Sequence, residues 1–381
     1  GIQPARIATD AVLHPGCRLS GEHTSVGPGC ELGAEAPVTL EDCQLGSGVE
    51  LKGGYFSGAV FLDGANMGSG AHVRPGTVLE EEAGGAHTVG FKQTILLPFV
   101  TAGSLINFCD CLMGGGTSRK HHSEVGSSYI HFNFTPHQDK ATASLLGDVP
   151  RGVMLDQAPI FLGGQGGLVG PVRIGFGCVI PAGVVYRQDS PGDGLILYPP
   201  PELPRAARAY RPGVYRDARR VLRHNLNYLG NVRALREWYR HVRTLFMTGL
   251  YHRFCWEGAL RQLEAVEAER RKRLKEFVAK LAHSAEHLRI DGSDAARRQA
   301  EEQERIAQDW PRIEERIAAA GDGASGRDLF LRDVAARAPG QEYLSFVQGL
   351  PRPVKALGTA WLQAVVDSTA GAWQVAAARG E

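Results

Sequence analysis

The chain of 381 residues has no excess of charge of either sign and no long apolar run. Lys and Arg number 42 and Asp and Glu 41, a net charge of +1, whereas a dedicated nucleic-acid binder usually carries a clear basic excess. No stretch of about eighteen apolar residues is available to span a membrane, and the opening GIQPARIATD lacks the apolar core of a secretion signal. We therefore expect a cytoplasmic protein whose partners are small molecules or protein, with no nucleic acid and no membrane.

Paired cysteine motifs are also missing. The seven cysteines include no CxxC pair and are odd in number, which favours a reducing compartment over a disulfide framework. Three of them, Cys17, Cys30 and Cys43, recur at a constant spacing of thirteen. We expect these three to occupy equivalent inward positions in successive coils of a repeated structure, as small apolar residues.

Glycine, by contrast, is abundant at 48 residues, and it accompanies a six-residue apolar period. In LGGQGGLVGPVRIGFGCVIPAGVV, the residues Leu162, Leu168, Ile174 and Ile180 fall six apart, each beside Gly or Pro. This period is the hexapeptide signature of a parallel β-helix, whose apolar residues point into a narrow coil while Gly and Pro suit the corners. The period occurs earlier at Val26, Leu32 and Val38, at Leu45 and Leu51, and at Met67, Val73 and Leu79.

The pattern divides the chain into three parts. Residues 1–195 are predicted to form a hexapeptide-repeat β-helix domain, a β-solenoid. Five prolines between Pro199 and Pro212 predict a Pro-rich linker over 196–215, because proline removes backbone donors and ends helices. Apolar spacings of three and four then predict an all-α C-terminal domain over 216–381. Its helices are expected near 217–250, 256–288, 293–319, 326–337, 340–349 and 353–378.

Two charged features belong to the predicted helical domain. The run EAERRKRLKE, residues 267–276, is interpreted as a solvated helical face. The first helix carries arginines that would either bind phosphate or nucleic acid or, as we favour, pair with acidic groups of partner helices. They are Arg219, Arg220, Arg223, Arg233, Arg236, Arg240 and Arg243.

Residues 84–153 interrupt the hexads with a segment dense in polar groups, where function gathers in a solenoid. Here VRPGTVLEEEAGGAHTVGFKQT resembles the start of the acetyltransferase domain of the bifunctional N-acetylglucosamine-1-phosphate uridyltransferases, a hexapeptide-repeat acyltransferase family. SEVGSSYIHFNFTPHQDKATASLLGD resembles a later segment, so the resemblance covers about residues 65 to 190. It implies a left-handed β-helix, a homotrimer with its site between subunits, acetyl-CoA or another acyl-CoA as co-substrate, and a sugar phosphate or nucleotide sugar as acceptor.

The resemblance also assigns four ligand-binding residues. Arg74 takes the place of an arginine that contacts the sugar phosphate, and Lys92 that of a nearby phosphate-neutralising lysine. Asn133 takes the place of the asparagine before the family's aromatic residue, and Lys140 that of the lysine which follows. These four side chains are therefore expected to bind the acceptor.

A glycine-rich basic loop, GGGTSRK at residues 114–120, follows the first of these motifs. Backbone amides in such loops, together with a basic side chain, favour phosphate binding. Arg119 and Lys120 are therefore candidate ligands of a sugar or cofactor phosphate.

Acyl transfer needs a base with a pKa near neutrality, for which histidine is the natural choice. SEVG after His122 restores the family's coil if one coil is deleted, so we expect His122, or its neighbour His121, to be this base. A second alignment, of the family's turn with FCDCLMGG, places Ser104 or a neighbour where the family has its histidine. The other histidines of this region, left open as alternatives, are His87, His131 and His137.

A metal site was weighed at Cys109, Cys111, His121 and His122, which are residue types that bind zinc. CxC followed by HH is not a standard zinc spacing, so no metal is expected. The sequence thus favours an acyltransferase, with two alternatives: a non-catalytic sugar-nucleotide-binding or scaffold protein on the same fold, and a structural trimer whose helical domain recruits another protein.

Overall fold

The structure is a computed structural model that describes residues 2–198, 210–321 and 323–373. Its N-terminal part is a left-handed parallel β-helix of about ten turns, followed by helices, as predicted. The strands are β1 (Val12–Leu13), β2 (Arg18–Ser20), β3 (Ser25–Val26), β4 (Glu31–Leu32), β5 (Val38–Glu41), β6 (Gln44–Leu45), β7 (Glu50–Leu51), β8 (Gly54–Ser57), β9 (Ala59–Phe61), β10 (Asn66–Met67), β11 (Ala71–Val73), β12 (Thr77–Leu79), β13 (Gly84–Gly85), β14 (Gly90–Leu96), β15 (Thr101–Ala102), β16 (Asn107–Met113), β17 (Gly116–Ser118), β18 (His121–His122), β19 (Glu124–Val125), β20 (Ile130–Phe132), β21 (Ser144–Leu146), β22 (Phe161–Leu162), β23 (Gly167–Val169), β24 (Arg173–Ile174), β25 (Val179–Ile180) and β26 (Val185–Tyr186). A 3-10 turn, Pro4–Arg6, precedes them, and a short helix α1 (Val149–Gly152) lies between β21 and β22.

The coils stack so that their strands form three parallel faces. Strands β2, β5, β8, β11, β20, β23 and β26 make up the site face, and β3, β6, β9, β12, β21 and β24 make up the helix-covered face. The long strands β14 and β16 bend and take part in both faces. The third face contains β1, β4, β7, β10, β13, β15, β19, β22 and β25. Val12 pairs with Glu31 and Glu31 with Glu50, so one coil takes 19 residues there.

The apolar residues of the C-terminal hexads lie inside the coil, as their spacing predicts. Leu162, Leu168, Ile174 and Ile180 are each at most 2% exposed. The interior is too narrow for anything but such a stack, so the six-residue period reports the inward position directly.

The prediction of equivalent cysteine positions in successive coils is wrong. Cys17, Cys30 and Cys43 directly precede β2, β4 and β6, which belong to three different faces. A spacing of thirteen is shorter than a coil and moves each cysteine two faces further on. Cys30 and Cys43 are nevertheless buried, and burial raises the pKa of their thiols to about 11 and about 12.

Seven α-helices follow within the described residues, and their ends differ from the predicted ones. They are α2 (Ala218–His241), α3 (Leu250–Ala279), α4 (Leu281–Asp291), α5 (Asp294–Ala319), α6 (Ala324–Arg337), α7 (Tyr343–Gly349) and α8 (Arg352–Ala370). The first ends at His241 rather than near 250, and Arg243–Phe246 forms a 3-10 turn. The helix predicted over 256–288 begins at Leu250 and is divided at Lys280. Of the predicted linker, 199–209 lies outside the described residues, as does the predicted helix end beyond 373.

The helices pack onto the β-helix through an apolar row that points outward. Val60, Val78, Ile95, Leu112 and Leu145 are aligned in register on the helix-covered face. Each is at most 2% exposed and belongs to a core shared with residues of α2, α3 and α8. The two parts therefore form one packed unit. In the described ranges no helix is both long and apolar enough to cross a membrane.

The arginines predicted to pair with partner helices do so only in part, because Arg220 and Arg243 pair with carboxylates of the β-helix. Arg233 and Arg236 both bind Glu267 of α3 at 2.6 Å. The remaining pairs are Arg219–Glu302, Arg220–Asp189, Arg240–Glu237 and Arg243 with Glu80 and Glu81. Glu267 belongs to the run EAERRKRLKE and is 7% exposed, so the interpretation of that run as a wholly solvated face is wrong.

Replacing Ile95 with Ala tests the apolar contact between the β-helix and the helices. The substitution removes buried methyl groups from a surface that the helices cover, so the free energy of unfolding should fall by about 2–5 kcal/mol. Val12→Ala, at an outward position that is 50% exposed, is the control and should change it by less than about 0.5 kcal/mol. Urea denaturation measures both. Equal, small effects would show that the helices do not depend on this row.

Candidate functional site

The candidate site lies at the corner where the chain turns from the site face to the helix-covered face. β14 and β16 bend there at Gln93 and Asp110, which have left-handed φ angles of 51° and 58°. In the next coil the chain leaves this corner after β20 and returns at β21, giving a loop over 133–143 that we call the site loop. The bend and the loop leave room for a cavity beside the coil.

The cavity has a volume of about 230 Å³. All four residues that the family resemblance assigns to acceptor binding line it: Arg74, Lys92, Asn133 and Lys140. The other lining residues are Asn107, Cys109, Asp110, Phe134, Glu269 and Arg270, of which the sequence analysis names Cys109 only as a possible metal ligand. Glu269 and Arg270 come from α3, which the resemblance does not cover.

Coil stacking places two of the cations side by side. Val73 pairs with Phe91, and Lys92 pairs with Cys109, so Arg74, Lys92 and Cys109 are neighbours on successive coils. Adjacent parallel strands lie about 5 Å apart, and like charges at neighbouring positions repel each other. An anion bound between the Arg74 and Lys92 side chains would remove this repulsion.

Asp110 connects the β-helix to the site loop and to the helices. Its Oδ1 lies 2.8 Å from Nη2 of Arg270, and its Oδ2 accepts a hydrogen bond of 2.8 Å from Nδ2 of Asn133. Asp110 is 3% exposed and Arg270 is 1% exposed, so the ion pair is almost dry. The amide of Asn133 is thereby oriented with its nitrogen toward Asp110, leaving its oxygen for another partner.

The site loop is held mainly by the helical region. Its contacts are Tyr215 Oη to Asp139 Oδ2 at 3.2 Å, Gly213 N to His137 Nδ1 at 3.1 Å, Lys280 Nζ to the carbonyl of His137 at 3.0 Å, Arg270 Nη1 to the carbonyl of Lys140 at 3.1 Å, and Asn225 Nδ2 to the carbonyl of Ala141 at 2.9 Å. The His137 ring also stacks on Tyr210, with centroids 5.9 Å apart. His137 therefore serves here as an anchor of the loop.

The structure does not bring His121 and His122 to the cavity. They form β18, which pairs antiparallel with β17 in a hairpin. Nδ1 of His121 lies 3.1 Å from Oγ1 of Thr117, and Nε2 of His122 lies 4.0 Å from a carboxylate oxygen of Glu124. Helix α7 touches the same hairpin, since Gln348 donates to the carbonyl of Thr117 at 2.7 Å.

Arg119 and Lys120, at the end of the glycine-rich loop, are likewise absent from the cavity lining. Nη1 of Arg119 donates to the carbonyl of Glu82 at 2.7 Å and to Oγ1 of Thr101 at 3.2 Å. Lys120 is exposed. The loop over 114–120 is therefore a surface hairpin, separate from the cation cluster.

His131 lies inside the coil, on the inward side of β20, and is 1% exposed. Its Nδ1 is 2.6 Å from the carbonyl of Cys109, which only accepts, so Nδ1 carries the proton. Its Nε2 then accepts from the hydroxyl of Ser144 at 2.8 Å. Burial lowers the pKa of His131 to about 4, so this imidazole is neutral and its lone pair is occupied.

His87 and Ser104 form an exposed pair at another corner of the β-helix. Oγ of Ser104 lies 2.9 Å from Nδ1 of His87, one coil below. Ser104, or a neighbour, is the residue that one alignment expects at the family's histidine position.

The two cysteines considered as metal ligands are separated by the bend in β16. Cys111 packs in the core of the β-helix, whereas Cys109 lines the cavity. Burial raises the pKa of both thiols, which disfavours the thiolates that metals bind. Among the residues that the structure describes, no group of three or more His, Cys, Asp or Glu is arranged to hold a metal ion.

No protein-family model matches the chain, but individual curated proteins do. The bifunctional protein GlmU of Geotalea uraniireducens is 28% identical over 199 residues, 52% of this chain and 39% of the relative. GlmU of Nitratidesulfovibrio vulgaris is 28% identical over 194 residues, 51% of this chain and 34% of the relative. GlmU of Pseudomonas fluorescens is 30% identical over 135 residues, 35% and 26% of the two chains. The matches thus span well under half of these relatives.

The fold is that of a hexapeptide-repeat domain, and this domain resembles the acetyltransferase domain of the bifunctional protein GlmU.

His131 should make the protein sensitive to mild acid. Burial lowers its folded-state pKa to about 4 from the usual 6.5, so between these values the unfolded chain binds more protons and stability falls as the pH drops. We expect the contribution of His131 to the free energy of unfolding to fall by about 2 kcal/mol between pH 7 and pH 5. Urea denaturation of the wild type and His131→Asn at both pH values measures it.

The His131→Asn variant should lose this part of the pH dependence. His72→Gln, at an exposed position on the site face, is the matched control and should keep it. The same pH slope in the wild type and in His131→Asn would contradict the buried, neutral state of His131.

Proposed function

We propose that the cavity binds the phosphate of a phosphorylated or nucleotide-linked sugar, and that the protein transfers an acyl group from an acyl-CoA to an amino or hydroxyl group of that sugar. The observation that carries the proposal is the meeting of Arg74, Lys92 and Lys140 in one cavity of about 230 Å³. Three cations and an amide in so small a space match the oxygens of a phosphate group. The similarity to GlmU supports the acetyl group as the acyl group and acetyl-CoA as its donor.

The reaction needs a base that the cavity of one chain does not supply. The attacking amine loses a proton as it adds to the thioester carbonyl, and the CoA thiolate then leaves. Among the residues that the structure describes, no histidine lines the cavity. We propose that His122, or His121, of a neighbouring subunit approaches the bound acceptor, because the resemblance implies a homotrimer with its site between subunits.

The surface beside the cavity supports such an assembly. Ile130, Phe132 and Phe134 are 40%, 41% and 59% exposed, and Phe134 lines the cavity itself. Exposed apolar side chains clustered at one place are typical of a contact surface. A second subunit packed on the site face would cover these side chains and bring its own histidine side chains toward the cavity.

The second candidate function is binding without catalysis, as a sugar-nucleotide-binding or scaffold protein. It is favoured by the residue at the family's histidine position, which is Ser104 or a neighbour in the alignment without a deleted coil. Ser104 has a neutral hydroxyl that is no general base by itself, although His87 lies 2.9 Å away. Both candidate functions require the same phosphate site and differ in whether CoA thiol is released.

Replacing Lys92 with Met tests the phosphate site. The change keeps most of the side-chain volume but removes a charge-assisted hydrogen bond, so affinity for a sugar phosphate should fall about 10- to 100-fold. Calorimetric titration with glucosamine-1-phosphate and UDP-N-acetylglucosamine measures it. Lys52→Met is the control, since Lys52 lies on the β-helix away from the cavity and pairs with Glu35 at 3.5 Å. If neither compound binds the wild type at millimolar concentration, the proposed function is wrong.

Replacing His122 with Ala separates the two candidate functions. If His122 is the base, thiol release from acetyl-CoA in the presence of an amino-sugar acceptor should fall by about 10²–10⁴-fold with little change in acceptor affinity. His87→Ala is the matched comparison, because it removes the other exposed histidine considered for this role. Loss of activity in His87→Ala alone would transfer the role to the His87–Ser104 pair. If the wild type releases no thiol with any amino-sugar phosphate but still binds one, the binding protein is the correct description.

A further inference from the structure

We infer that Arg270, on helix α3, is a ligand-binding residue of the same cavity, so that the helical region completes a site that the β-helix alone leaves open. The inference rests on the proposed phosphate site and adds a residue that the family resemblance does not supply. It also assigns a role in the site to a helix outside the hexapeptide repeats.

Arg270 lies in the wall of the cavity and is almost fully buried. Its side chain is 1% exposed and lines the cavity together with Glu269 of the same helix. A guanidinium stays charged at any physiological pH, so it brings a permanent cation to a nearly dry site. Such a group is stable there only if its donors and its charge find partners.

One hydrogen-bond donor of the Arg270 side chain lacks a partner in the described part of the chain. Nη2 of Arg270 pairs with Oδ1 of Asp110 at 2.8 Å, and Nη1 donates to the carbonyl of Lys140 at 3.1 Å. Nε is buried and has no hydrogen-bond partner among the described residues. Among the described residues that line the cavity, Arg270 is the one with a buried side-chain donor that lacks a hydrogen-bond partner. A phosphate oxygen that reached this edge of the guanidinium would accept that hydrogen bond.

The net charge and the volume of the cavity also fit a phosphate monoester. The lining carries the cations Arg74, Lys92, Lys140 and Arg270 against the carboxylates of Asp110 and Glu269, which leaves two positive charges. Two positive charges match a phosphate monoester, which is close to doubly charged at neutral pH. A volume of about 230 Å³ is below the range of about 300–1,000 Å³ that is usual for sites of drug-sized ligands. The geometry therefore favours a sugar monophosphate over a whole nucleotide sugar as the group enclosed.

The experiment compares Asp110→Asn with the double variant Asp110→Asn/Arg270→Gln. Both lack the buried ion pair and the Asp110 carboxylate, so they differ only in the guanidinium, which Asp110→Asn leaves buried without its carboxylate partner. The probes are inorganic phosphate and glucosamine-1-phosphate, titrated by calorimetry against the full chain. Lys275→Gln is the matched control on the same helix, because Lys275 is exposed, pairs with Glu314 at 3.7 Å and does not line the cavity.

We expect the double variant to bind both probes at least ten-fold more weakly than Asp110→Asn, and Lys275→Gln to bind them as the wild type does. Arg270→Lys, which keeps the charge without the planar donor set, should lose part of the affinity. If the double variant binds as well as Asp110→Asn while Lys92→Met still loses affinity, the inference fails and the phosphate site stands. If the wild type binds neither probe, the inference and the proposed function fail together.

Hydrogen exchange of the site loop, compared between Asp110→Asn and the double variant, tests whether Arg270 acts only on the loop. A loss of affinity accompanied by unfolding of the loop would make Arg270 a structural residue and overturn its role as a ligand contact.

Discussion

An outward apolar row on the β-helix is the contact on which the rest of the molecule depends. Outward positions of a solenoid usually face water, yet the row from Val60 to Leu145 is covered by helices. The burial of these side chains fixes α2, α3 and α8 against a rigid, regularly spaced surface. Since α3 passes from this face to the corner beside it, the same contact determines where Glu269 and Arg270 lie. The geometry of the cavity thus follows from a hydrophobic interface outside it.

Rigid and adjustable parts are combined at the cavity. The coil register fixes the backbone positions of Arg74 and Lys92 on neighbouring coils. Neither backbone segment can move without breaking the hydrogen bonds between the parallel strands. Asn133 and Lys140 lie on the site loop, whose conformation depends on hydrogen bonds from the helical region. The buried pair of Asp110 and Arg270 links the two parts, so a change in helix packing would reach the Asn133 amide through one carboxylate.

The fold was predictable from the sequence because the six-residue period corresponds directly to one inward position. Arg74 and Lys92 were predictable from motifs written within single coils, and Asn133 and Lys140 from the site-loop segment. Arg270 was not, because nothing local distinguishes it from Arg271 or Arg273 in a run of charged residues, and only tertiary packing buries it. The prediction from the cysteine spacing failed for a related reason. A constant spacing of thirteen residues suggests a repeat, but one coil takes 19 residues on the third face. The proposed base was not predictable in the same way, because neither His121 nor His122 is among the described residues that line the cavity.

The covered row also has a consequence for synthesis of the chain. A ribosome makes the protein from its N-terminus, so the row is complete at Leu145 more than seventy residues before the first residue of α2, Ala218, is added. During that interval the β-helix presents a continuous apolar surface to the surrounding solution, in addition to the strand edge at its growing end. Partly made domains with such surfaces are prone to associate with one another. We therefore expect chaperone binding to nascent chains, and the speed at which the helices follow, to affect the yield of this protein.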